Sequence, residues 1–298
     1  MDNVDSHIRV DKGDSFPVTQ YSIWALTSGI LPAWPKSNSY AWDHANAGTI
    51  TIPLNYNLIV GGGRVVLFDT GWEDPKVLKR AGTVSWEPIV MQLDRLGIKP
   101  DDVDTIVLSH MHLDHGGQTS HFPKATIFLQ NAEMEFINAA NRLPDGRTKS
   151  RLISYYFPAD VEALRVAGRQ GRLVLVDGYC DLDLGLKIVP AINTHTAGCQ
   201  MLLVNTAAGE MVLTGDTAYD RNNITKVIPM GTNMGSNFQC IMNFERILNL
   251  AGGKLEKVVN PHDIDTFSYW PSWQMGDTQV AEIALAPGQR SLKPSQTP

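Results

Sequence analysis

The sequence predicts an α/β fold in which two β-rich layers form a sandwich covered by helices on both outer faces. Three observations predict it. Apolar, β-branched runs bounded by turn residues recur along the 298 residues. Segments with apolar residues at helical spacing stand between several of them. In both halves of the chain, strand after strand ends on a histidine or an aspartate. Composition agrees, with 43% hydrophobic and 19% charged residues, the balance of an ordinary globular protein.

The elements follow in order. "TITIPLNYNLIV" and "RVVLFDTGW" flank Gly61, Gly62 and Gly63 and read as a β-hairpin. Residues 83–98 carry a helical period, and a polar turn then leads into the strand "TIVLS", which ends on a histidine cluster. "ATIFLQ" is a further strand, followed by a helix over 131–141 with Asn131 as its N-cap. Residues 142–160 are basic, aromatic and irregular, and are expected as an insertion or lid. "RLVLVD" and "LKIVPAIN" open the second half; His195 follows, then the hairpin "QMLLVNTAAGEMVLTGD", which ends on Asp216. A loop over 217–237, a helix over 238–251 and a short strand ending on His262 complete the pattern. Residues 20–49 are rich in Trp, Tyr and Pro without a clear period, which reads as a long loop over a pocket. Trp24, Trp34 and Trp42 then line an apolar subsite, or else pack in a core or a dimer contact. Tyr155, Tyr156 and Phe157, and likewise Met230, Met234 and Phe238, invite the same two readings. An aromatic loop of this length also allows a homodimer.

Several function classes are disfavoured. The net charge is −6 and no Lys/Arg-rich run occurs, so the electrostatic footprint of a nucleic-acid binder is missing. No apolar run approaches a membrane span, and the polar, acidic first twenty residues lack the plan of a secretory signal. Cys180, Cys199 and Cys240 form no CxxC pair, which suits unpaired, buried thiols in a reducing compartment, and a cytoplasmic location is expected.

The stretch "SHMHLDHGG" supplies His110, His112, Asp114 and His115 within six positions. Imidazole nitrogen and carboxylate oxygen suit Zn²⁺, Mn²⁺ and Fe²⁺. An extended segment directs His110 and His112 to one metal, while Asp114 and His115, across the turn permitted by Gly116 and Gly117, face a second. His7, His44 and His121 match no ligand position; they read as terminus, loop or pocket wall, and loop.

"SHMHLDHGG" resembles the HxHxDH motif of the metallo-β-lactamase superfamily. The likeness extends to "LFDTGW" around Asp69, "NTHTAGC" around His195, "LTGDTAY" around Asp216 and "NPHD" around His262, over about residues 50–265. It implies a four-layer αββα sandwich built as one domain over 1–298, with 20–49 and 142–160 as insertions and 287–298 as a flexible tail. It also implies one metal held by His110, His112 and His195, a second by Asp114, His115 and His262, and Asp216 bridging both. Zinc is the expected pair, with manganese, iron and cobalt as alternatives. Asp69, in a turn at a strand end, is read as a brace for nearby loops rather than a direct participant.

Two such ions about 3.5–4 Å apart make a bridging water hydroxide at neutral pH, and the site is then a hydrolase. His112 stands where the di-iron flavoprotein branch has glutamate, and Asp216 stands where true β-lactamases have Cys or Ser. Nucleic-acid-processing members carry basic surfaces that this acidic chain lacks, and glyoxalase II-type thioesterases carry a basic C-terminal region where this chain is acidic and aromatic. Tyr219, three residues after Asp216, resembles the tyrosine of N-acyl-homoserine lactonases that reaches the substrate carbonyl. The reading is a lactonase in which hydroxide attacks the lactone, Tyr219 polarises the carbonyl and Asp114 shuttles the proton. Hydrolysis of another small cyclic ester, amide or thioester is the alternative, and a non-catalytic metal-binding or sequestering protein is a third reading.

Overall fold

Side chains alternate along strand β1 (Ser22–Pro35): Ile23 and Ala25 enter one apolar layer, Trp24 and Leu26 another, and all four are fully buried. A strand buried on both faces needs cover on both sides, and that demand organises the molecule. The computed structural model describes residues 18–42, 47–183 and 185–294.

β2 (Thr49–Gly61) and β3 (Arg64–Phe68) form the expected hairpin. β4 (Thr105–Val107), β5 (Thr126–Gln130) and β6 (Leu173–Val176) then add in parallel. A second sheet collects β7 (Cys180–Asp183), β8 (Leu186–Pro190), β9 (Gln200–Thr206), β10 (Gly209–Leu213) and β11 (Val258–Val259), in the order β11-β10-β9-β8-β7. The chain finally returns to the first sheet with β12 (Ser272–Met275) and β13 (Thr278–Ala284), which pairs with β1 and gives the order β12-β13-β1-β2-β3-β4-β5-β6.

Three apolar layers hold these sheets. Between the sheets, Ile59, Val66, Phe68 and Val107 meet Ile188, Leu202, Val204 and Leu213. The helices are α1 (Lys36–Ser39), α2 (Pro75–Ala81), α3 (Ile89–Arg95), α4 (Leu113–Gly116), α5 (Asn131–Asn141), α6 (Arg147–Leu152), α7 (Pro158–Arg169), α8 (Arg221–Lys226), α9 (Asn237–Leu250) and α10 (Thr266–Tyr269). α3, α5 and α7 cover the outer face of the first sheet through Leu93, Ile137 and Leu164, while α8 and α9 cover the second through Ile224, Phe244 and Ile247. Each fully buried side chain of this size stabilises by roughly 1.5–3 kcal/mol. The result is the αββα sandwich. No helix among the described residues is long and apolar enough to cross a membrane.

Several local expectations are corrected. The segment 20–49 is not one long loop: Ser22–Pro35 form β1 and Lys36–Ser39 form α1, and Trp24 is a core residue whose Nε1 donates to Glu282 at 3.3 Å. The helix expected over 83–98 is confined to α3, because Pro88 occupies its N-cap. Asn131 is the first residue of α5 rather than its cap. Residues 142–160 contain α6 and the start of α7, and the loop over 217–237 contains α8. β6 joins the first sheet instead of opening the second. Residues 287–294 carry no regular element, while 295–298, His7 and His44 lie outside the described residues. Cys180, Cys199 and Cys240 are free thiols, the last two buried and Cys180 half-buried.

Candidate metal centre

The ends of five strands converge at one rim of the sandwich. β3 delivers Asp69, β4 the histidine cluster, β8 the loop with His195, β10 Asp216 and β11 His262. After β4 the chain stays extended through His112 and then closes into α4, which turns Asp114 and His115 toward a different point. The turn holding Asp69 packs directly on this reversal: Thr70 donates its amide to the His115 carbonyl at 2.6 Å, and Gly117 donates to that of Gly71 at 2.8 Å. Only glycine fits at 117, since a Cβ there would lie 2.7 Å from the Gly71 oxygen.

The structure brings all seven expected ligands together, in two groups that meet at Asp216. Asp216 Oδ2 lies 3.6 Å from His110 Nε2 and 3.3 Å from His195 Nε2, and His195 Nε2 is 2.9 Å from His112 Nδ1. Asp216 Oδ1 faces the other way, 3.2 Å from His115 Nε2 and 3.1 Å from His262 Nε2. Asp114 Oδ2 closes that group at 3.6 Å from His115 and 3.8 Å from His262. His110, His112, His195 and Asp216 thus make one cation-sized cluster, and Asp114, His115 and His262 another. All are buried except Asp114, whose side chain is about a fifth exposed.

These residues fit a pair of cations. His110 Nε2 is buried without a hydrogen-bond partner, and His115 Nε2 and Asp216 Oδ1, though 3.2 Å apart, form no well-directed hydrogen bond, a costly state for polar atoms unless something binds there. Burial, followed by their histidine neighbours, holds His110 well below the usual imidazole range; burial and His195 do the same for His112. Both rings stay neutral and keep a lone pair for a cation. At His115 and His262 burial also opposes a charge, but Asp216 and Asp114 outweigh it and raise both pKa values. That pull marks a point where the carboxylates demand positive charge. Burial opposes ionisation of Asp216 as well, yet His115 and His262 hold its carboxyl well below the usual range.

The ring nitrogens facing away from the clusters fix the tautomers. His262 Nδ1 donates to the Pro53 carbonyl at 2.9 Å, and His115 Nδ1 donates to Asp69 Oδ2 at 2.8 Å. Asp69 also accepts from the Ser109 amide at 2.7 Å and its hydroxyl at 2.9 Å, leaving Ser109 Oγ to accept from His110 Nδ1 at 3.0 Å. Asp69 therefore braces the ligand loop. His121 pairs with Glu73 at 2.7 Å, away from the clusters.

A cavity of about 460 Å³ opens over Asp114, His195, Asp216 and His262, with Leu31, Trp34, Ile52, Trp72, Leu113 and Phe157 among its walls. Tyr219 lies in it, its ring 4.8 Å from that of His262 and its hydroxyl 2.6 Å from Thr232 Oγ1. Burial, then Asp216, raises its pKa well above the ordinary phenol value, so it remains a donor. Of the other aromatic candidates, Trp34, Tyr155 and Phe157 line the cavity, Tyr156 is buried beside it, and Trp42 and Phe238 are half or more exposed elsewhere. Met230 is buried in the apolar layer under α8 and α9, while Met234 packs against the separate layer under α3, α5 and α7. Thr232 and Arg80, also in the cavity wall, carried no recognisable signal in the sequence.

The metallo-beta-lactamase superfamily model matches residues 52–279. An N-acyl homoserine lactonase, AttM, of Azorhizobium caulinodans is 27% identical over 279 residues, covering 86% of this chain and 97% of that protein. AttM of Agrobacterium fabrum is 29% identical, over 84% of this chain and 96% of its own length. The crystal structure of a quorum-quenching N-acyl homoserine lactone lactonase superposes with a TM-score of 0.64 at 19% identity, over 84% of this chain and 95% of that one. AidC, a dizinc quorum-quenching lactonase, superposes at 0.61 and 17% identity, over 93% and 97%. With the family model spanning most of the chain and the sandwich carrying its ligand-bearing strand ends, the chain belongs to the metallo-beta-lactamase superfamily.

Proposed function

We propose that this chain is a dinuclear metal-dependent lactonase that opens the ring of N-acyl-homoserine lactones. One observation carries the reading: a single carboxylate, Asp216, presents one oxygen to each of two histidine clusters at the floor of a mainly apolar cavity with a protonated phenol in its wall. The names of the relatives supply the substrate class. His110, His112 and His195 would hold one ion and Asp114, His115 and His262 the other, with Asp216 shared. Bound divalent ions, zinc first among them, would supply Lewis acidity and a hydroxide nucleophile at neutral pH.

The remaining steps belong to the chain's own side chains. The apolar wall receives the acyl chain and excludes water. Tyr219 turns its hydroxyl from Thr232 to the lactone carbonyl oxygen and donates to it as negative charge develops there. Asp114, the ligand open to the cavity, accepts the proton of the attacking water and returns it to the ring oxygen as the C–O bond breaks. The product N-acyl-homoserine then ionises and releases one proton. A panel of homoserine lactones of graded acyl length, followed by proton release with zinc- or cobalt-loaded protein, tests the assignment. Acceleration for at least one chain length is expected. Absence of any, alongside turnover of aromatic lactones or thioesters, would refute it.

A further inference from the structure

Behind the cavity a fully buried carboxylate, Glu133 of α5, forms no ion pair among the described residues and is satisfied entirely by hydrogen bonds. Its Oε1 accepts from the Met111 amide at 3.2 Å and the Tyr156 hydroxyl at 3.1 Å; its Oε2 accepts from Thr196 Oγ1 and the Gly198 amide, both at 2.7 Å. These donors come from three separate segments. Met111 lies between His110 and His112, Thr196 follows His195, and the Tyr156 ring sits 5.0 Å from that of His112. Gly198 permits the approach, since a Cβ there would fall 2.3 Å from the Glu133 nitrogen.

We propose that Glu133 is a positioning residue for the first half-site, clamping the His110–His112 strand to the His195 loop and so setting the spacing of those three ligands. The second half-site is held by different partners, Asp69 for His115 and the Pro53 carbonyl for His262. The proposal rests on the reading of the seven residues as two metal half-sites. It separates the half-sites energetically, because the hydrogen bonds of Glu133 reach the chain between His110 and His112 and the loop after His195, while Asp114 and His115 lie beyond the turn into α4 and His262 on a separate strand end.

Glu133→Gln tests it. Whichever way the amide turns, its NH₂ group confronts either the Met111 or the Gly198 backbone N–H, and neither can rotate to accept. Buried groups that orient ligands typically change metal affinity by about 10–100-fold. Cobalt titration of the metal-free protein, read by visible absorption, should therefore show one of two equivalents weakened by that factor. It should be the same equivalent that His195→Ala removes, with the equivalent removed by His262→Ala unchanged. Thr196→Val, which deletes one donor and keeps its shape, should weaken that equivalent by up to about tenfold, and it serves if the glutamine protein does not fold. Equal weakening of both equivalents, or of neither, would overturn the proposal while leaving the two-site reading intact. Wild-type protein that takes up fewer than two equivalents would overturn both.

Discussion

Asp69→Asn isolates the brace on the second half-site. Asp69 sits at φ 66°, a left-handed conformation that asparagine tolerates and alanine does not, so the substitution adds no backbone strain. Its orientation is forced. The Ser109 amide, 2.7 Å from Oδ1, must keep an oxygen acceptor, which places the new NH₂ at the Oδ2 position, 2.8 Å from His115 Nδ1. The Ser109 hydroxyl can rotate to accept from it. The His115 ring cannot keep its tautomer: to accept at Nδ1 it must carry its proton on Nε2, the atom directed at Asp216 and Asp114.

An Nε2–H can donate to a carboxylate but cannot ligate a cation, so the tautomer change acts directly on the metal. Loss of such a supporting partner costs about 10–100-fold in affinity, or about 1.4–2.7 kcal/mol at 1.36 kcal/mol per tenfold. Chelator competition against zinc or cobalt should show the equivalent that depends on His262 weakened by that factor and the one that depends on His195 retained. Thermal unfolding of the metal-free variant checks that the fold survives. Unchanged binding of both ions would refute the argument that Asp69 sets the His115 tautomer.

Three further perturbations follow from the same geometry. Tyr219→Phe removes the phenol whose ring lies against both His195 and His262; kcat on a lactone substrate should fall by about 10²-fold or more while metal content stays at two equivalents, and an unchanged kcat would remove Tyr219 from the reaction. Asp114→Asn should weaken one metal equivalent and lower turnover beyond what the metal loss accounts for; full rate with full metal content would end its role as proton shuttle. Asp160, in the first turn of α7, has its pKa raised to about 7 by burial and then by Glu73 and Asp74. Its folded state thus binds the extra proton over a window from about pH 4 to pH 7, and stability declines as pH rises across it. Asp160→Asn should narrow the Tm difference between pH 5 and pH 8, whereas an unaltered difference would show that this carboxyl does not drive it.

The candidate ligands were legible in the sequence because metal coordination admits few residue types and because strand ends deliver them at recognisable turns. What holds the ligands was not. Glu133 lies in "NAEMEF", where it reads as an ordinary polar position of an amphipathic helix, and nothing local reveals the donors that reach it from residues 22 to 65 positions away. β1 escaped recognition for a related reason: with both faces buried it shows no alternation of polar and apolar residues, and its partner β13 lies more than 200 residues downstream. α8 was hidden because its signal is polar, with Asp220 capping Asn222 and Asn223 and only Asn223 and Ile224 buried.

Charge explains why these particular residues suit a reaction that builds negative charge. Among the seven proposed ligands only Asp114 and Asp216 are carboxylates, and burial keeps His110, His112 and His195 neutral. Two divalent ions would leave about two positive charges uncompensated by protein. The proposed lactone hydrolysis would supply what is missing: hydroxide before the reaction, a carbonyl oxyanion during it and a product carboxylate after it. The walls formed by Leu31, Trp34, Ile52 and Trp72 keep water from screening that imbalance, and Tyr219, as a neutral donor, adds to it without adding charge. A third carboxylate pointing into the cavity would cancel the attraction, and the structure places Asp69 behind His115, where its oxygens are engaged by Ser109 and the imidazole. The same group that fixes the ligand's tautomer is thereby kept from opposing the substrate.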